Sequence, residues 1–176
     1  MPKHMRTIVI QQPARRRESA HDEFGKAEKK LVLCSRCHQV RLGKKWRTAA
    51  SLLAKELTSH KEGVHTTLCP ACTTITKKLY EGEIIIEGFP FPHEAELMHM
   101  VTSFGVRAQE IDPQDRIIAI EHTKKGQIRI TTTEDQLAVK IAKKIKASFK
   151  VKKATMDIEY SKEPFEYVLV RMHFSA

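Results

Sequence analysis

The chain has no cysteine outside a single stretch running from Cys34 to Cys72, only one tryptophan, and seven glycines that never cluster. Without clustered glycines there is no Walker A loop and no dinucleotide fingerprint, and G-x-S-x-G is also missing. His93-Glu94 does not open a zinc-protease H-E-x-x-H motif, because Leu97 stands where the second histidine is needed. The carboxylate pair Glu134-Asp135 falls at a helix start, where the helix dipole accounts for it. No nucleophile–base constellation remains, so a non-enzymatic protein is expected; a small enzyme with a site assembled only in three dimensions is a weaker alternative. No apolar run approaches the roughly 20 residues of a membrane-spanning helix. Ile8-Val9-Ile10 is too short for the apolar core of a signal peptide. The expectation is a soluble, cytoplasmic protein with no membrane partner.

What is present begins with the cysteines. Cys34-Ser-Arg-Cys37 and Cys69-Pro-Ala-Cys72 are two matched C-x2-C pairs with no cysteine left over. One tight turn can present two sulfurs to one metal, and two such turns close the tetrahedral thiolate shell of structural zinc. The expected metal ligands are therefore Cys34, Cys37, Cys69 and Cys72, with Zn2+ as cofactor. The 31 residues between Cys37 and Cys69 exceed a usual ribbon spacer; a helix from Lys45 to His60 is expected to fill the excess. Three other readings compete. A pair of disulfides needs an oxidising compartment. A thioredoxin-type dithiol leaves the second pair unexplained. Cys34 to His38 also spells C-x-x-C-H, a haem-attachment motif, but that leaves Cys69 and Cys72 idle. His38, His60 and His65 are read as surface residues beside the knuckles.

Positive charge is concentrated near the same stretch. Of a net +10, residues 31–80 supply nine Lys/Arg against two Asp/Glu, and residues 1–30 supply eight against four. A basic metal module points to a phosphate backbone as partner. The candidate nucleic-acid contacts are Arg36, Arg41, Lys44, Lys45, Arg47, Lys77 and Lys78. Trp46 is either a base-stacking platform or a packing residue that seats the expected helix on the metal site, the second being the more ordinary role. Residues 1–30 are expected to be a basic, disordered tail; its Arg15-Arg16-Arg17 run suits either an RNA-ordered arm or a solvated terminus.

Leu31-Val32-Leu33 and Val40-Arg41-Leu42 read as strands flanking the first knuckle, and Glu83 to Gly88 as a β-branched strand. Residues 31–90 are thus expected to form the zinc-binding module. Pro90-Phe91-Pro92 marks its end, and residues 91–176 are expected to form an α+β domain with a core of its own. There, Leu97, Met98, Val101 and Phe104 share a helix face, and Asp115–His122 and Gln127–Thr132 make a hairpin. Thr133 with Gln136 forms a capping box for a helix whose stripe is Leu137, Ile141, Ile145 and Phe149. Its lysines, Lys140, Lys143, Lys144, Lys146 and Lys150, are either an RNA-facing surface or an ordinary wet face. A last hairpin pairs residues 154–160 with 165–174. Helices over an antiparallel sheet give an α+β fold class.

Cys34-Ser-Arg-Cys37, Gly43-Lys44-Lys45-Trp46 and Leu68-Cys69-Pro70-Ala71-Cys72 together resemble the zinc-ribbon part of the large-ribosomal-subunit export adaptor (nonsense-mediated-decay-three) family, and in particular its short bacterial branch. The resemblance continues through Ile117-Ile118-Ala119-Ile120 and Thr131-Thr132-Thr133 into Gln136-Leu137-Ala138, covering about residues 31–176. It implies a zinc-bearing protein that contacts RNA or a ribosomal subunit. The chain has no room for the further zinc pairs and domains of the long members. The alternative is a zinc-stabilised protein–protein adaptor whose partner is held by the C-terminal domain.

Overall fold

The computed structural model describes residues 12–13, 31–48, 65–123, 126–150, 153–161 and 167–175. Two sheets of four and five strands organise these residues, and the fold is α+β as the periodicities predict.

The smaller sheet belongs to the cysteines. Strand β2 (Leu31–Cys34) turns through the first cysteine pair into β3 (Val40–Leu42). Gly43, at φ 67°, then reverses the chain into β4 (Lys45–Arg47), which pairs with β3 as an antiparallel hairpin. Only glycine takes that left-handed backbone without a steric penalty. Lys45 therefore begins a strand and not the expected helix; residues 49–64, where that helix would continue, lie outside the described residues. Strand β5 (His65–Thr67) lies parallel to β2 on its other side, with Cys34 opposite Thr67. This register brings the second pair alongside the first. Helix α1 (Pro70–Thr76) follows at once.

The larger sheet holds the main core. Its order is β10 (Lys153–Tyr160), β11 (Val168–Ser175), β7 (Gly82–Glu87), β9 (Ile128–Thr132), β8 (Ile117–His122). All neighbours are antiparallel except β11 and β7, which run parallel. Strand β7, which the sequence reading put in the zinc module, is the middle strand here, so this sheet begins well before Pro90. The reason is its triple isoleucine: Ile84 and Ile86 are buried against the helices, and a strand this apolar is suited to the centre of a sheet. Helix α2 (Glu94–Ile111) links β7 to β8, with β9 antiparallel between them. Helix α3 (Asp135–Ser148) links β9 to β10. Both helices cover one face, where Leu97, Val101, Leu137, Ile141 and Ile145 join Ile84, Ile130, Val170 and Met172 in one cluster. Gly82 marks a close approach of α3 to the sheet: a Cβ there would lie 2.6 Å from Ala138 Cβ and would collide with Thr132 Oγ1.

Two local expectations are corrected. Thr133 is not an N-cap. The residue before α3 is Glu134, with no side-chain cap bond, and Thr133 is fully buried and bonded elsewhere, as described below. The N-terminal tail is not wholly apart from the fold either: Gln12–Pro13, β1, pairs in parallel with β6 (Leu79–Tyr80). The rest of residues 1–30 lies outside the described residues.

Candidate metal centre

The first knuckle is built by backbone bonds. The Cys34 N–H donates to Gln39 O at 2.7 Å and the His38 N–H to Cys34 O at 3.0 Å. His38 takes a left-handed conformation, φ 58°, to close this turn, and its side chain is exposed. The second knuckle opens α1. Cys69 is the N-cap, its sulfur accepting the Cys72 N–H at 3.4 Å, and Pro70 occupies the first helical position, where a missing N–H costs nothing.

These turns bring Cys34, Cys37, Cys69 and Cys72 together, every ligand sulfur lying within 4.8 Å of the others. The Cys37 and Cys69 sulfurs are 3.7 Å apart. A tetrahedron with Zn–S bonds of about 2.3 Å has an edge of about 3.8 Å, so the spacing fits a four-thiolate metal site. All four cysteines are free of disulfides, and only Cys37 is not fully buried. The cluster is able to hold a metal ion.

Electrostatics favour the same use. Burial opposes charge on Cys34, but N–H groups of Cys37, Cys69 and Arg36 directed at its sulfur outweigh this and lower its thiol to about 6. Burial pushes Cys69 and Cys72 upward from the ordinary thiol range. Burial opposes charge on Cys34, Cys69 and Cys72 alike, so a cation beside them stabilises the thiolate form.

One such cation comes from a residue that sequence reasoning missed. Arg116, just before β8, is buried and extends into the cluster. Its Nη2 donates to Cys37 Sγ at 3.1 Å and, more distantly, to Cys69 Sγ at 3.8 Å; its Nη1 donates to Cys72 Sγ at 3.4 Å. Nε donates to Pro113 O at 2.9 Å, which fixes the plane of the fork. Burial works against the guanidinium's charge, but the Cys37 sulfur beside it outweighs this and raises its pKa. Thr133 holds the backbone in place: its hydroxyl accepts the Arg116 N–H at 2.9 Å and donates to Gln114 O at 2.5 Å. Gln114 Oε1 in turn accepts the Ala71 N–H at 2.9 Å. In sequence, Arg116 is one more charge at the start of the expected strand Asp115–His122, and nothing nearby marks it as buried.

The predicted phosphate contacts fall in two groups. Lys44, Lys45 and Arg47 are exposed on the β3–β4 hairpin. Alternation along β4 sends Trp46 to the opposite face from Lys45 and Arg47. Trp46 packs against the cysteine cluster with Leu68, and the Arg41 guanidinium lies 5.7 Å from its ring centre. The second group is at the end of α1, where Lys77 and Lys78 are exposed and Arg36 Nη1 donates to Thr76 Oγ1 at 2.7 Å. The lysines of α3 are exposed opposite its buried stripe. No described helix is long and apolar enough to cross a membrane. Set against protein-family models, curated proteins and solved structures, the chain matches none of them.

Proposed function

We propose that this protein is a zinc-binding, non-enzymatic RNA- or ribosome-associated protein that uses its basic metal module to contact phosphate backbone. Zinc suits the site because four thiolates in a tetrahedron are a preferred set for that ion. Reduced thiols go with a reducing compartment such as the cytoplasm. The observation that carries the RNA reading is the charge of the module. Nine Lys/Arg against two Asp/Glu lie in residues 31–80, and Lys44, Lys45, Arg47, Lys77 and Lys78 are exposed around a rigid centre. Cations fixed on a rigid frame can match phosphate spacing without an added ordering cost. The resemblance to the ribosomal-subunit export adaptors agrees with this use.

A protein-adaptor reading rests on different residues. Phe91 is 84% exposed and Ile111 88% exposed, at opposite ends of the segment that carries α2. Recovery of the tagged protein from cells, with and without nuclease, separates the two readings. The RNA reading predicts ribosomal RNA and subunit proteins in the untreated sample and their loss after nuclease. Partners that persist unchanged after nuclease would favour the adaptor instead.

A further inference from the structure

We propose that Arg116 is a charge clasp on the metal thiolates, so that metal loading and the seating of the cysteine module on the larger sheet are one event. A guanidinium cannot shed its proton, and a buried cation without an anionic partner is strongly destabilising. Among the described residues, the side chains that meet the Arg116 fork are Cys37, Cys69 and Cys72. Four thiolates on a divalent ion would offset its charge, because such a shell keeps two negative charges in excess. Arg116 halves that excess, and its fork geometry spreads the offset over three sulfurs.

The contact also joins two parts of the fold. The sulfurs belong to the smaller sheet and α1; Arg116 belongs to the larger sheet and is bonded to Thr133 at the entry to α3. Gln114 provides a second tie, to the backbone of α1 at Ala71. Loss of the metal frees the sulfurs that hold the Arg116 fork in place, and with them the main tie between Arg116 and the module. By linkage, whatever loosens the seating also loosens the metal. The clasp thus makes the placement of the basic surface responsive to zinc supply. It rests on the metal reading above and not on RNA.

The test uses the full chain with Arg116→Met and Arg116→Lys. Two quantities are read: zinc retention against a competing chelator, and hydrogen exchange at the Ala71, Thr133 and Ile130 amides with and without zinc. Arg116→Met should hold zinc about tenfold or more weakly, as is usual when an outer-shell partner is lost. In the parent, zinc should slow exchange at Ala71 and Thr133; in Arg116→Met, zinc should no longer slow Thr133. Ile130, in the middle of the larger sheet, should be unaffected in either protein. If Arg116→Met does not fold, Arg116→Lys carries the test: it keeps the charge but not the fork, and should lose zinc less severely than tenfold yet measurably. Parental zinc retention in the variants, with Thr133 still protected by zinc, overturns the clasp alone. A parent that holds no zinc overturns the clasp together with the metal reading.

Discussion

Arg116 and Cys37 are 79 residues apart in the chain, yet the guanidinium Nη2 lies 3.1 Å from the cysteine sulfur. This pair defines how the molecule is assembled. The knuckles do not hang from the α+β part on a linker; they are held at its first hairpin strand by a buried cation. The cysteine cluster is therefore both a core of the small module and a contact between the modules.

Trp46 reports on that centre. It is the only tryptophan and packs against the cysteine cluster. A structural zinc contributes on the order of 10–16 kcal/mol to folding, so chelation or Cys69→Ser should unfold the small sheet. The expected result is a red-shifted, weakened Trp46 emission in both cases, with about one zinc per chain in the parent and none in the variant. Unchanged emission on removal of the metal would mean that the cluster is not structural.

Domain dissection gives a second outcome. Strand β7 stands between β11 and β9, so a fragment of residues 93–176 lacks the middle of its sheet. A fragment of residues 79–176 keeps all five strands. The longer fragment should unfold cooperatively in the presence of chelator, and the shorter should give no cooperative transition. Equal, cooperative melting of both would contradict the placement of β7.

Tyr80 sets an alkaline limit. Its hydroxyl donates to Glu83 Oε2 at 3.3 Å, and the ring lies 5.2 Å from the Arg129 guanidinium, which pairs with Glu83. Burial first, then the Glu83 charge, push the phenol up from 10.0 to about 12, against the pull of Arg129. A raised folded-state value means that the folded protein binds this proton more tightly than the unfolded chain. The resulting stability is complete below pH 10 and is lost as pH rises through about 12. Denaturation midpoints from pH 9 to 12 should therefore fall more steeply for the parent than for Tyr80→Phe. Parallel curves would show that Tyr80 has no part in the alkaline decline.

Where residues act through near neighbours, the sequence was readable. Matched cysteine pairs declared the four-cysteine cluster, alternating isoleucines declared β8 and β9, and the stripe Leu137, Ile141, Ile145 and Phe149 declared α3. Long-range demands were not readable. Thr133 matches a capping box locally, but the Arg116 backbone competes for its hydroxyl and wins. A helix from Lys45 is the local expectation, yet the chain after Gly43 starts as a strand, because Lys45-Trp46-Arg47 has no period of its own and gains its pairing from Val40, Arg41 and Leu42. Arg116 was invisible because its partners are 44 to 79 residues away. Burial of a lone arginine at the start of a strand has no local signature.

The central claim is that the metal module's cations meet phosphates. Its most direct test is the affinity of the zinc-loaded chain for ribosomal RNA across a salt series, with Lys44, Lys45 and Arg47 present or changed together to glutamine. Each phosphate contact on a single strand contributes about 0.7 to the slope of log affinity against log salt. The triple variant should bind more weakly at low salt, and its slope should flatten by about 2, while sequence preference changes little, because phosphate contacts carry no base information. A triple variant with parental affinity and parental slope, still holding its zinc, would contradict the account.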